Sequence, residues 1–223
     1  RREHALGGSA TYFSLSASRF HPVRVVAVVG DDFGPEQLRV FDHRPIDLKG
    51  LSRAKGLSFH WKGEYGYDLN EAKTLATDLN VFADFRPVLP DGYRESEYLF
   101  LGNIDPVLQL EVVHQMATRP KWIALDTMNY WIRGARPALE AVLKEVDILL
   151  VNDAEVRELT QDNSLIKAYR KVQAMGPRIL VVKRGEYGVA IFTPEGIFAA
   201  PAYPLEDVFD PTGAGDTFAG GFL

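Results

Sequence analysis

Twelve residues, Asp210-Pro211-Thr212-Gly213-Ala214-Gly215-Asp216-Thr217-Phe218-Ala219-Gly220-Gly221, combine small side chains with carboxylates at a spacing that suits phosphoryl chemistry. Gly213, Ala214 and Gly215 permit a tight turn whose backbone N–H groups gather at a helix N-terminus, where the macrodipole is positive and anions are stabilised. Asp216 follows at once. A carboxylate placed there can take the proton of a hydroxyl while the N–H groups stabilise a phosphoryl group in transfer. The same residues also fit a plain tight turn with Asp216 as a favourable first-turn charge, and residue types alone leave both readings open. Other chemistries lack their parts. There is no Gly-x-x-x-x-Gly-Lys-Ser/Thr, no Gly-x-Gly-x-x-Gly, no His-Glu-x-x-His and no Gly-x-Ser-x-Gly. The five histidines, at 4, 21, 43, 60 and 114, have no metal-ligand spacing, so each is expected to be structural or on the surface.

The elements that must position these residues follow from hydrophobic patterning. Short β-branched runs occur at Val23 to Val29, Tyr98 to Leu101, Trp122 to Leu125, Ile148 to Val151, Ile179 to Val182 and Val189 to Phe192. Most are apolar on both faces. Between them lie stretches with helical spacing, at Ala10 to Arg19, Val107 to Ala117, Ala135 to Glu145 and Leu165 to Met175. Strands buried on both sides and alternating with helices predict an α/β, doubly wound fold with a mostly parallel sheet. The runs end in polar residues or glycine: Gly30-Asp31-Asp32, Gly102-Asn103, Asp126, Asn152-Asp153 and Lys183-Arg184-Gly185. Ligands of open α/β sheets bind outside the carboxyl ends of the strands, so a cleft is expected along that row. Taken singly, Asp31, Asp32 and Asp153 are better explained as caps of following helices. Residues 57–85 instead alternate aromatic and polar side chains, around Phe59 to Lys62 and again from Thr77 to Phe82. That pattern predicts a small β lid with an exposed face, partly fed by the chain near Gly7, or alternatively an edge hairpin on the main sheet.

Composition narrows the class. The chain has 223 residues, 46% of them hydrophobic, 25 Lys and Arg against 30 Asp and Glu, and no cysteine. A core of this size needs no disulfide or structural metal. Absence of cysteine removes thiolate nucleophiles, Fe–S clusters and Cys-based zinc sites, and it fits a reducing compartment. No apolar run approaches the ~20 residues that span a bilayer. A net charge of −5 without a basic run argues against nucleic acid as partner. Residues 1–223 are expected to form one domain, truncated at both ends, since the sequence opens at Arg1 and closes within a young helix.

The stretch from Asp210 to Leu223 resembles, position by position over fourteen residues, the C-terminal signature of the ribokinase-like (PfkB) carbohydrate kinase family. Three further motifs agree in order: Gly7-Gly8-Ser9-Ala10 followed by Gly30-Asp31-Asp32-Phe33-Gly34, then Asn152-Asp153-Ala154-Glu155, then Lys183-Arg184-Gly185-Glu186-Tyr187-Gly188. The resemblance implies a three-layer α/β/α kinase with a β lid, transferring the γ-phosphoryl of ATP to a substrate hydroxyl. It makes Asp216 the catalytic base, with the N–H groups from Gly213 through Ala214 and Gly215 to Asp216 as anion hole. Asn152 and Glu155 match the family's Asn-x-x-Glu, which acts on Mg2+ and phosphate, largely through water; hard oxygen ligands with retained waters suit that ion. Asn152 alone reads equally as the cap of a helix over residues 153 to 160. By resemblance Lys183 lies near the ATP phosphates, Gly185 and Gly188 admit the nucleotide, and Thr212 joins the nucleotide side. Read alone, a strand-end lysine is simply solvated. Asp210 and the Thr212 carbonyl fall where some members hold a monovalent cation such as K+.

The sequence departs from the family in one place. Many sugar kinases carry an Asn four positions beyond the second Gly, and here that position is Tyr12, so a polar contact to a sugar hydroxyl is missing. Gly7, Gly8, Ser9 and Asn103 are the expected substrate contacts. Phe59, Trp61 and Tyr65 either cover the ligand from the lid or form the lid's own core or a dimer contact. Asp126 matches a strand-end Asp common in the family and is expected to be structural. The acceptor implied is a small molecule with a free hydroxyl: a sugar, polyol or inositol. A nucleoside is the alternative, since an aromatic lid suits a stacked base, and a catalytically silent nucleotide-binding module is the alternative from another class. Dimerisation through the lid is common among relatives, and the expected location is the cytoplasm.

Overall fold

The computed structural model describes residues 5–67, 69 and 72–223. His4, and residues 68, 70 and 71 of the 57–85 segment, lie outside the described residues. In chain order the first elements are α1 (Ser9–Ala17), β1 (Val23–Val29), α2 (Pro35–Leu38), β2 (Ile46–Arg53), β3 (His60–Tyr65) and β4 (Ala72–Asp78). Then come β5 (Tyr98–Leu101), α3 (Pro106–Gln115), β6 (Trp122–Asp126), α4 (Asn129–Gly134), α5 (Arg136–Leu143), β7 (Ile148–Asn152) and α6 (Asp153–Thr160). The last are α7 (Leu165–Met175), β8 (Ile179–Lys183), β9 (Val189–Thr193), β10 (Gly196–Ala200) and α8 (Ala214–Phe222). Two compact units result, one built from residues up to Pro90 together with Phe209–Leu223, the other from Asp91–Val208.

The second unit is the α/β body. Its six strands run in the order β10-β9-β8-β7-β6-β5, with β5 to β8 parallel and β9 and β10 antiparallel. Consecutive residues of β6, β7 and β8 are buried, as expected of strands covered on both faces. The helices supply that cover with apolar stripes. Leu139, Val142 and Leu143 of α5 and Val156 and Leu159 of α6 are buried at three- and four-residue spacing. Burial of each such side chain contributes about 1.5–3 kcal/mol.

The first unit is built differently. Strand β1 pairs in parallel with β2, a strand that the sequence conceals because Asp47, Lys49 and Gly50 interrupt its apolar positions. Strands β3 and β4 form a separate antiparallel pair, which excludes the edge hairpin on the main sheet. Strand β4 stops at Asp78 and a single helical turn covers Asn80–Phe82, so the expected strand from Thr77 to Phe82 is only partly formed. Asp31 and Asp32 do not cap a helix. The Asp31 Oδ2 accepts from Gly56 N at 2.9 Å, while Asp32 Oδ1 accepts from Ser58 N at 2.8 Å and Ser58 Oγ at 2.7 Å. The Ser58 hydrogen bond holds the Asp32 carboxyl below its usual range. These acids therefore clamp the segment that leads into β3. Helices α1 and α8 pack against each other in the same unit.

Candidate active site

Helix α8 begins where the sequence turns tightly. Gly213 takes the cap position with φ 79°, and Asp216 lies in the first turn. Ala214 N donates to Pro211 O at 3.1 Å, closing the turn, so the N–H of Ala214 is committed to the loop. Gly215 N is not taken by any backbone acceptor among the described residues. Only glycine fits at 213. A Cβ there would stand 2.3 Å from Tyr12 Cδ2, because the Tyr12 ring lies against the turn. Tyr12 OH also donates to Leu6 O at 3.4 Å, and a Cβ on Gly7 would be 3.9 Å from Tyr12 Cε2. The residue that replaces a sugar-kinase Asn is thus a spacer between the Gly7 loop and the Gly213 turn. Gly8 caps α1 at φ 93°, with its carbonyl accepting from Thr11 N and Tyr12 N, and Ser9 starts the helix.

Two neighbours of the turn are set locally. Asp210 Oδ1 accepts from Thr212 N at 3.0 Å. Thr212 Oγ1 hydrogen bonds to Tyr65 OH, 3.2 Å away at the end of β3, although 147 positions separate them in sequence.

In the second unit, the polar ends of β6, β7 and β8 converge. Lys183 Nζ lies 2.9 Å from Asp126 Oδ2, with side chains only 17% and 7% exposed. Lys183 is therefore a buried ion-pair partner and not a solvated strand end, and Asp126 is the acid that holds it. Asn152 and Glu155 cap α6 reciprocally: Glu155 N donates to Asn152 Oδ1 at 2.8 Å, and Asn152 N to Glu155 Oε2 at 2.7 Å. Capping and a binding role are compatible here, since the box fixes both side chains and leaves the carboxylate with further lone pairs. Burial, and next the Asp126 charge, push the Glu155 carboxyl up to about 7 against the pull of Lys183. Two carboxylates facing one ammonium in a dehydrated setting form an environment that a divalent cation would relieve. Among the described residues no group of three or more His, Asp or Glu is placed to hold a metal ion by itself.

Gln109, fully buried, donates through Nε2 to Gly102 O at 2.7 Å and Asp126 O at 3.2 Å, tying the ends of β5 and β6. Beside those strand ends, Asn103 Oδ1, Thr127 Oγ1 and Asn129 Oδ1 are buried without a hydrogen-bond partner among the described residues. Orphaned buried acceptors are uncommon. Asn103 was expected on the substrate side; Thr127 and Asn129 were not, and the polar run after an apolar strand is the signal that marks them. Gly185, with φ 54°, opens a short turn closed by Arg184 N to Gly188 O at 2.8 Å. Gly188 does not face open space. A Cβ there would lie 2.0 Å from Ala200 O, so its smallness serves the packing of the chain at the end of β10.

The model of the pfkB family of carbohydrate kinases matches residues 2–223. Cytidine kinase of Thermococcus kodakarensis is 27% identical over 226 residues, 98% of this chain and 78% of that one. Fructokinase-2 of Oryza sativa subsp. japonica is 37% identical over 91 residues, 40% of this chain and 27% of that one. The fold is that of an E. coli protein assigned as ribokinase II and solved in complex with ATP and Mg2+, with a TM-score of 0.79 at 21% identity over 96% of this chain and 73% of that one. With a signature, a fold and a family model agreeing along its length, the chain belongs to the pfkB family of carbohydrate kinases.

Proposed function

We propose that this chain transfers the γ-phosphoryl group of ATP to a hydroxyl of a small polyhydroxylated acceptor, a sugar, polyol or inositol. Asp216 carries the proposal, an acid in the first turn of α8 directly after the left-handed cap Gly213. Its carboxylate takes the acceptor's proton as the hydroxyl oxygen attacks the γ-phosphorus, the bond to the bridging oxygen breaks, and ADP leaves. The Gly215 N–H and the α8 N-terminus stabilise the charge on the transferring group. Asn152 and Glu155 hold the nucleotide's Mg2+, largely through water, and the ion would neutralise phosphate charge when bound. Lys183, anchored by Asp126, adds a positive potential on the nucleotide side, with Gly185 and Thr212. Gly7, Gly8, Ser9 and Asn103 meet the acceptor. A monovalent cation at Asp210 and the Thr212 carbonyl completes the proposed site. The 57–85 segment acts as the lid and, through exposed Phe59, Leu75 and Leu79, as a homodimer contact; the cytoplasm is the proposed compartment.

A second reading, a nucleoside acceptor, has its own observation. The Trp61 ring lies along Gly63, where a Cβ would be 2.0 Å from Trp61 Cη2, leaving a flat aromatic face on the half-buried side of β3. Such a face suits a stacked base, and the near-full-length relative named above is a cytidine kinase. ADP release with Mg-ATP and potassium, against separate pools of sugars, polyols and nucleosides, tests both. Turnover in the first two pools supports the first reading, turnover only with nucleosides the second, and ATP binding without turnover in any pool overturns both.

A further inference from the structure

The hydrogen bond between Thr212 and Tyr65 joins two segments that nothing in the local sequence would bring together. Thr212 lies one residue before the Gly213 cap, in the loop that Asp210 closes through Thr212 N and Pro211 closes through Ala214 N. Tyr65 is the last residue of β3 and lies on the half-buried face of that strand, with Trp61 and Gly63. The near end of the same hairpin is clamped by Asp31 and Asp32 on Gly56 and Ser58. The strand is thus held at its base by carboxylates and at its far end by one hydroxyl pair, and that far contact bears on the residue before the turn that aims Asp216.

We propose that Tyr65 is a positioning residue for phosphoryl transfer: its hydroxyl couples the β3–β4 hairpin to the Thr212 loop, so that the hairpin's placement fixes the approach of the Gly213 turn and of Asp216. This rests on the kinase reading given above. In this role Tyr65 acts through Thr212. Its effect is on the fraction of molecules whose turn is aligned, which appears in kcat more than in the KM for ATP.

The test is a double-mutant cycle on the full chain, read by steady-state kinetics and by hydrogen exchange without ligands. Tyr65→Phe and Thr212→Val should each lower kcat about 2- to 12-fold, the range one net hydrogen bond carries, and Tyr65→Phe should leave the KM for ATP little changed. The double variant should fall no further than either single one. In the exchange experiment Tyr65→Phe should speed exchange both in β3–β4 and in residues 211–217, while Thr212→Ser should not. Additive kinetic losses, an unchanged kcat in Tyr65→Phe, or faster exchange confined to the hairpin would overturn the proposal. Absence of turnover in the unaltered chain would overturn the kinase reading and the positioning role with it. Exchange needs no substrate, so it separates that outcome from a missing Tyr65–Thr212 link.

Discussion

Lys183 Nζ lies 2.9 Å from Asp126 Oδ2, so the end of β8 is tied to the end of β6 over the intervening β7. Both side chains are largely removed from water, and Glu155 also acts on the Lys183 charge. Asp126→Ala should therefore cost about 1–3 kcal/mol of stability, less than the ~3–5 kcal/mol of an isolated buried pair because Glu155 stays beside the ammonium. Replacing both residues, as Asp126→Leu with Lys183→Met, should recover much of that loss. Urea midpoints measure this; a loss below about 1 kcal/mol in Asp126→Ala, the range of exposed pairs, would contradict it.

Glu155 gives the protein a pH dependence of defined sign. Its carboxyl is pushed up to about 7, against an ordinary value of 4.5, first by burial and then by Asp126. Between those values the native state keeps a proton that the unfolded chain has released, so this contribution to stability is full below pH 4.5 and lost as pH rises through 7. Glu155→Gln should flatten the decline in urea midpoint over that window, measured with EDTA present. Parallel curves for the two proteins would exclude Glu155 as the source.

Gly188 is packed against the backbone at the end of β10. With φ 86° and a Cβ position 2.0 Å from Ala200 O, alanine is both strained and obstructed there. Gly188→Ala should cost about 1–3 kcal/mol or more, since left-handed strain and a backbone clash act together. Thermal unfolding reports the loss, and the folded fraction should keep its KM for ATP. A raised KM at unchanged stability would return Gly188 to the nucleotide.

Much of this was legible from residue types. The strands β6, β7 and β8 announce themselves because continuous apolar runs are needed where both faces are buried, and β1, β5 and β9 because their runs are short and apolar between polar or glycine ends. The helix of residues 153–160 and its Asn152 cap are equally plain, because the cap and the first turn use local chemistry. What escaped is non-local. Strand β2 is half-exposed and broken by Lys49 and Gly50, so no period marks it. Asp31 and Asp32 have the composition of caps but find partners 25 and 26 residues on. Lys183 and Asp126 meet across 57 residues and Tyr65 and Thr212 across 147, separations at which spacing carries no signal.

The Asp32 clamp predicts a graded effect on the hairpin. Ser58 holds the Asp32 carboxyl below its usual range, so its contribution is present above pH 3.8 and lost as pH falls through its lowered folded value. Asp32→Ala should open the segment after Gly56 to limited proteolysis at neutral pH while leaving the β5 to β10 body resistant. Equal cleavage of both regions would mean that Asp32 supports the whole fold and not the hairpin.

The most direct measurement is ADP release by Asp216→Asn with Mg-ATP and whichever acceptor pool the unaltered protein uses. Loss of the base should lower kcat by about 10²–10⁴, with ATP affinity and the fold retained, because the substitution keeps the size of a residue in the first turn of α8. Turnover near that of the unaltered protein would remove Asp216 from the chemistry.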